Sequence, residues 1–332
     1  MLIAVIVISL LFGLVNGVHD AGNAIAAPVV TRAVRPGTAL LSASFFHVAG
    51  ALLAGTAVAT TVASFISVEP HELLRTVGAA ALGACTWSLL TLKAGIPCSS
   101  GHCLVGSLTG AALIEGGLRG VRWGGLHGLH PVGFFGSLLW LVLSSVLAAP
   151  LAFAGIRLSR RTLHRASRGA TVPVRRAEIV TSAALAFAHG SNDAQKVMGL
   201  VAAALLASHH LSRLLVPFWV QLVCALALAA GTALGGWRVV MTLGRGIYPL
   251  RALEGLVSQA TASGIVLAAS ILGAPVSTTD VVAPAIVGVG AGRRLHHVRW
   301  QVVRLIVLAW LFTLPACAVI GAACVLISRP IT

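Results

Sequence analysis

The stretch Gly17-Val18-His19-Asp20-Ala21-Gly22-Asn23 returns, altered, as Gly190-Ser191-Asn192-Asp193-Ala194-Gln195-Lys196. A second pair follows in the same order and at a similar offset: Pro97-Cys98-Ser99-Ser100-Gly101-His102 and Pro275-Val276-Ser277-Thr278-Thr279-Asp280. One short match carries little weight. Two in register divide the chain into related halves. Each motif lies within apolar sequence, so each reads as a break in a hydrophobic segment, with Gly17, Gly22 and Gly190 letting the chain unwind. Unwound backbone is tolerated at membrane depth only where it lines a cavity or is buried in protein.

Around these motifs, apolar segments run over about 2–31, 38–66, 73–92, 98–114 and 132–156, and then over 177–207, 214–235, 253–272, 276–290 and 300–327. This predicts an all-α polytopic membrane protein of about ten membrane segments, some of them broken or re-entrant. An odd number of crossings per half makes the halves enter the membrane in opposite directions, which is an inverted repeat. The division is 1–156 for the first repeat, 157–176 for an arginine-rich cytoplasmic linker, and 177–332 for the second repeat. Composition agrees. Of 332 residues, 58% are hydrophobic and 9% charged, against about 25% charged in a soluble domain. That charge cannot cover a water-facing surface, so lipid is the expected environment.

The formal net charge of +15 follows the positive-inside rule. With the N-terminus outside, Arg32, Arg35, Lys93, the cluster from Arg157 to Arg176 and Arg293 fall on the inner side, against few cations outside. No basic segment is interleaved with stacking aromatics, which argues against nucleic acid. The six cysteines form no Cys-x-x-Cys pair, so no metal site is expected. Residues 1–15 lack a basic start and a cleavage site, and read as half of a span rather than a signal peptide.

The chain has three aspartates, Asp20, Asp193 and Asp280, and all lie in the paired motifs. An ionised Asp at membrane depth costs about 2.5–3.5 kcal/mol on insertion scales, so their placement points to a site. Ser99, Ser100, Ser277, Thr278 and Thr279 stand before helical stretches, where hydroxyls and free N–H groups favour an anion. A carboxylate beside them can bind a coupling cation or accept a hydrogen bond from a protonated phosphate oxygen. Sulfate at neutral pH has no such proton, so this contact would discriminate the two oxyanions.

At these residues the chain resembles the inorganic phosphate transporter family, whose low-affinity bacterial permeases carry a repeated G-x-N-D motif. FAHGSNDAQKVMG matches the second copy, PCSSGHCLVGS and PVSTTDVVAPAIVG the hairpin motifs, and GWRVVMTLGRGI the stretch before the last motif. The resemblance implies no enzyme and no catalytic residue. It implies a transporter of inorganic phosphate in the cell (inner or plasma) membrane, driven by H⁺ or Na⁺ with no other cofactor, and compatible with a homodimer. The substrate residues would be Asp20, Asn23, Ser99, Ser100, Asn192, Asp193, Lys196, Ser277, Thr278 and Thr279. The coupling ion would be held by His19, Asp20, Asp193 and Asp280. His19 and Asp280 depart from the family's usual Asn and His, and His47 and Gln259 stand where many relatives carry Asn or Glu. Histidine titrates near neutrality, so H⁺ is favoured over Na⁺. The alternatives are a sulfate transporter and, from another class, an intramembrane hydrolase using Ser100 or Ser191 with His102 or His189. The hydrolase fails to explain duplicated motifs in opposed halves.

Overall fold

The computed structural model describes residues 1–127, 130–163 and 171–329, so residues 164–170 of the arginine-rich linker lie outside the described residues. Twelve α-helices carry the described fold: α1 (Leu2–Val30), α2 (Pro36–Leu53), α3 (Ala57–Ala63), α4 (Pro70–Ala94), α5 (Ser100–Gly116), α6 (Gly133–Thr162), α7 (Thr171–Ala207), α8 (Phe218–Leu234), α9 (Trp237–Met241), α10 (Ala252–Ile271), α11 (Thr278–Arg294) and α12 (Trp300–Ser328). A two-residue antiparallel ladder, Leu126 with Pro131 and His127 with His130, precedes α6.

Local sequence explains the punctuation. Pro36 and Pro70 open α2 and α4, where a missing N–H is harmless. Gly95 ends α4 in the left-handed conformation at φ +69°. Pro97 and Pro275 then keep the chain extended before α5 and α11 begin.

Among the described residues, six helices are each long and apolar enough to cross a membrane: α1, α2, α4, α6, α10 and α12. A seventh candidate is α8 with the stretch Trp237–Gly246, bent by 68°. The protein is therefore helical and multi-pass. Two expected segments change shape. The 38–66 stretch breaks into α2 and α3, and residues 237–246, assigned to no segment, are helical. The helix α7 has 37 residues, about 55 Å of axis. It reaches well into the sequence expected to be linker, as does the end of α6.

The glycines of the aspartate motifs do not unwind the chain. Both α1 and α7 run unbroken through them. A Cβ at Gly17 would sit on the Leu228 carbonyl, and one at Gly190 on the His47 carbonyl. These glycines bring helix backbones together, as small residues do in membranes, where close packing drives association. The contacts come in matching sets. Gly231 of α8 meets the Leu14 carbonyl of α1, and Gly50 of α2 meets the Phe187 carbonyl of α7. Gly110 of α5 meets the Ala318 carbonyl of α12, and Gly288 of α11 meets the Ala149 carbonyl of α6. Each helix of one half thus packs on a helix of the other.

Hydrogen bonds and ion pairs mark the two ends. At one end Thr31 donates to Glu178 at 2.8 Å, and Arg293 at the end of α11 pairs with Glu254 at the start of α10. At the other, Arg75 at the start of α4 holds Glu115 near the end of α5 at 2.6 Å, with Arg329 at 3.6 Å. The hairpins α4–α5 and α10–α11 therefore open at opposite ends. Their tips point at each other.

Candidate functional site

The tips meet in the interior beside α1 and α7. Ser99 is the N-cap of α5, accepting from the His102 N–H at 3.2 Å. It also donates across the gap to Asp280 Oδ2 of α11 at 2.6 Å. His102 Nδ1 lies 3.1 Å from the same carboxylate oxygen. One hairpin tip is thereby tied to the other.

Asp193, on α7 and fully buried, is the most heavily bonded group. Lys196, one turn along, donates to Oδ1 at 2.8 Å and to Ser100 at 3.2 Å. Oδ2 accepts from Asn16 at 2.9 Å and Ser100 at 3.1 Å, and lies 3.0 Å from His189 Nε2. A buried ion pair is tolerable when hydrogen bonds satisfy its remaining positions, and here they do.

Asp20, on α1 and 1% exposed, is held more loosely. Oδ1 accepts from Thr279 at 3.0 Å and lies 3.3 Å from His19 Nδ1. Asn23 donates to Thr279 at 2.9 Å, and Thr91 of α4 lies 3.4 Å from His19 Nε2. Four buried atoms at or beside the tips lack a hydrogen-bond partner among the described residues: Asp20 Oδ2, Ser277 Oγ, Thr278 Oγ1 and Asp280 Oδ1.

Of the residues expected from sequence, eight fall into three bonded groups: Ser99 with Asp280, Ser100 with Asp193 and Lys196, and Asp20 and Asn23 with Thr279, with His19 at the edge of the last. Ser277 and Thr278 lie at the second tip. Asn192 points elsewhere. Its amide donates to Ser270 at 3.1 Å and to the Ala274 carbonyl at 3.0 Å, and its carbonyl accepts from the Val276 N–H at 3.2 Å. It holds the loop that delivers Ser277. Gln195 likewise accepts from the Val58 N–H at 2.9 Å, at the start of α3.

The sequence reading missed Asn16, His47, His189 and Thr232 as parts of one cluster. His47 Nδ1 lies 2.9 Å from Thr232 Oγ1, and its Nε2 lies 3.0 Å from His189 Nδ1. The signals were faint: His189 immediately precedes Gly190 of the second motif, and His47 is one of the departures. Asp20, His189 and Asp193 also bring ligand atoms within 4.8 Å of one another. Asp193 Oδ2 already has three partners, so a metal there would displace hydrogen bonds.

A model of the phosphate transporter family matches residues 16–172 and 164–321. A probable low-affinity inorganic phosphate transporter of Rhizobium meliloti (strain 1021) is 37% identical over 326 residues, covering 98% of this chain and 95% of that protein. One of the same description from Bacillus subtilis (strain 168) is 35% identical, covering 96% and 95%. A solved structure titled the sodium-dependent phosphate transporter superposes with a TM-score of 0.87 at 25% identity, covering 100% of this chain and 99% of its own. These proteins are transporters and not enzymes, which removes the hydrolase alternative. Ser100, moreover, donates to the Asp193 carboxylate, which is already charge-paired with Lys196. The chain belongs to the phosphate transporter family.

Proposed function

We propose that the protein is a secondary active transporter that carries inorganic phosphate across the cell membrane with protons. It works as two inverted repeats, 1–156 and 177–332, joined by the cytoplasmic linker 157–176. The observation that carries this reading is the meeting of two hairpin tips, entering from opposite ends, at buried carboxylates. Ser277 and Thr278 offer unpartnered hydroxyls beside a helix N-terminus. Asp20 Oδ2 and Asp280 Oδ1 offer unpartnered acceptors. A hydrogen phosphate can accept from the first pair and donate its one proton to a member of the second, whereas sulfate has nothing to donate. Lys196 and Asp193 neutralise each other and hold Ser100 of the first tip between them. Asn23 sets Thr279, and Asn192 sets the loop before Ser277.

The exchanged packing of equivalent helices supports the inverted repeat. Alternating access then moves one pair of repeat elements against the other. The ion pair Glu254–Arg293 closes the end assigned to the cytoplasm, and Arg75–Glu115 braces the other. A cavity of about 400 Å³ beside the α10–α11 tip, lined in part by Thr61, Arg122, His130 and Gly273, opens at that outer end.

Sodium is the competing driver, because the solved neighbour is titled sodium-dependent. Under that reading Asp20 and Asn23 would hold Na⁺. Uptake of labelled phosphate into proteoliposomes, with imposed H⁺ or Na⁺ gradients and sulfate as competitor, decides among the readings. Phosphate uptake on a proton gradient without Na⁺ is expected. Strict Na⁺ dependence, or equal competition by sulfate, would refute it.

A further inference from the structure

We infer that the transported proton is carried by a hydrogen-bonded histidine pair, His47 and His189, ended by a rotatable hydroxyl at Thr232; the inference rests on the proton-coupled reading above. The chain of atoms is continuous and buried. Thr232 Oγ1 lies 2.9 Å from His47 Nδ1, His47 Nε2 lies 3.0 Å from His189 Nδ1, and His189 Nε2 lies 3.0 Å from Asp193 Oδ2. Its members come from α8, α2 and α7, and both rings are fully buried.

Counting donors shows why this row suits one extra proton. A neutral imidazole has one N–H and one acceptor nitrogen. With both rings neutral, every group is satisfied when all bonds run one way: Thr232 donates to His47 Nδ1, His47 Nε2–H to His189 Nδ1, and His189 Nε2–H to Asp193. With one proton added, His47 Nδ1 becomes a donor, and Thr232 must accept from it. The hydroxyl has somewhere else to point: Oγ1 lies 3.1 Å from the Leu228 carbonyl and 3.4 Å from that of Gly17. The added proton then sits on the pair, shared across the ring-to-ring bond. Both states leave no donor or acceptor orphaned, so the row can load and release a proton by rotating one hydroxyl. A buried chain without such a rotor would leave a polar group unpaired in one state, at a cost of about 1–3 kcal/mol.

The surrounding charges set the balance. From α7, Asp193 and Lys196 cancel as an ion pair 2.8 Å apart. From α1, Asp20 Oδ2 faces His189 Nε2 at 3.9 Å, while His19 lies on the other carboxylate oxygen. The helix α8 contributes hydroxyl and carbonyl groups but no charged side chain. Asp20 is thus the counter-charge that a proton on the pair would neutralise, leaving the site ready for an anion at the tips.

The test uses the full chain in proteoliposomes containing a pH-sensitive dye, with an inward proton gradient and no Na⁺. The wild type should take up labelled phosphate together with protons. His47→Gln should lower gradient-driven uptake, relative to phosphate counterflow, by at least about tenfold, and should abolish the accompanying proton entry. His47→Gln with undiminished proton entry would overturn the pair as carrier. Wild-type uptake that needs Na⁺ and moves no protons would instead refute the coupling reading itself, so the two failures are distinct. Should His47→Gln not fold, Thr232→Val keeps both rings and removes the rotor. It should shift the pH of half-maximal uptake to the acid side by about one unit, and Thr232→Ser should restore it. An unshifted profile in Thr232→Val would overturn the proposal.

Discussion

Asp20 and Asp193 occupy equivalent places in the two sequence repeats, yet the protein treats them differently. Asp193 accepts from an ammonium, an amide and a hydroxyl, and faces an imidazole. Asp20 has a threonine and a histidine on one oxygen and, among the described residues, no hydrogen bond on the other, which His189 faces at 3.9 Å. The hairpin tips repeat the contrast. Ser99 caps its helix and binds Asp280, while Ser277 and Thr278 keep unpartnered hydroxyls. Each half therefore contributes one anchored group and one free group, and they pair crosswise: anchored Asp193 with Ser100 of the first tip, free Asp20 beside the second. The motif occurs twice in the sequence, and divergence of its neighbours separates groups satisfied by the protein from groups that keep an unpartnered atom.

The largest effect should come from the anchor. Asp193→Asn leaves Lys196 buried without its counter-ion, a kind of loss that costs about 3–5 kcal/mol. Uptake should vanish, and the thermal midpoint in detergent should fall clearly. Asp193→Asn with Lys196→Met should regain stability but not transport. A single variant as stable as wild type would remove the distinction between anchor and binder.

Asp20→Asn should separate the two roles. It keeps an acceptor for Thr279 and removes the charge, so stability should change by less than about 1 kcal/mol, the size of one ordinary hydrogen bond. Uptake should still drop by more than about tenfold, because a charged acceptor is lost from the site. Radiotracer uptake beside a melting curve checks both.

The tips predict a smaller, opposed pair. Ser99→Ala removes an N-cap and a bond to Asp280, and should lower stability by about 1 kcal/mol. Ser277→Ala should leave the melting curve in place and raise the KM for phosphate several-fold, because no protein partner is lost. Equal effects of the two would break the contrast.

The smallest change is expected at His19→Asn. His19 touches Asp20 from the edge of the cluster, so uptake should persist with a flatter pH profile, and a response to Na⁺ should be sought in the same assay. A complete loss of proton coupling in this variant, with His47→Gln unaffected, would move the proton from the pair to His19.

Much of this molecule was legible in the chain. Apolar segments, sparse charge and arginine-rich loops fixed a helical multi-pass protein, because a bilayer admits few other solutions. Three aspartates in duplicated motifs marked the candidate site, since a carboxylate at that depth needs a reason. The Pro-x-Ser motifs marked helix starts, and α5 and α11 begin there. The glycines were misread for a physical reason: in a membrane, a glycine can loosen a helix or let another backbone touch it, and only the neighbour decides. Leu228 and His47 supply that neighbour for Gly17 and Gly190, from distant positions in the chain. The same holds for Asn192, which resembled a ligand by its motif and instead holds a loop, and for His47, whose partners come from α7 and α8. Sequence determined which polar groups enter the membrane. Tertiary structure alone decided which of them are satisfied by one another and which keep an atom unpartnered beside the hairpin tips, because each hydrogen bond depends on angstrom-scale placement of helices far apart in the chain.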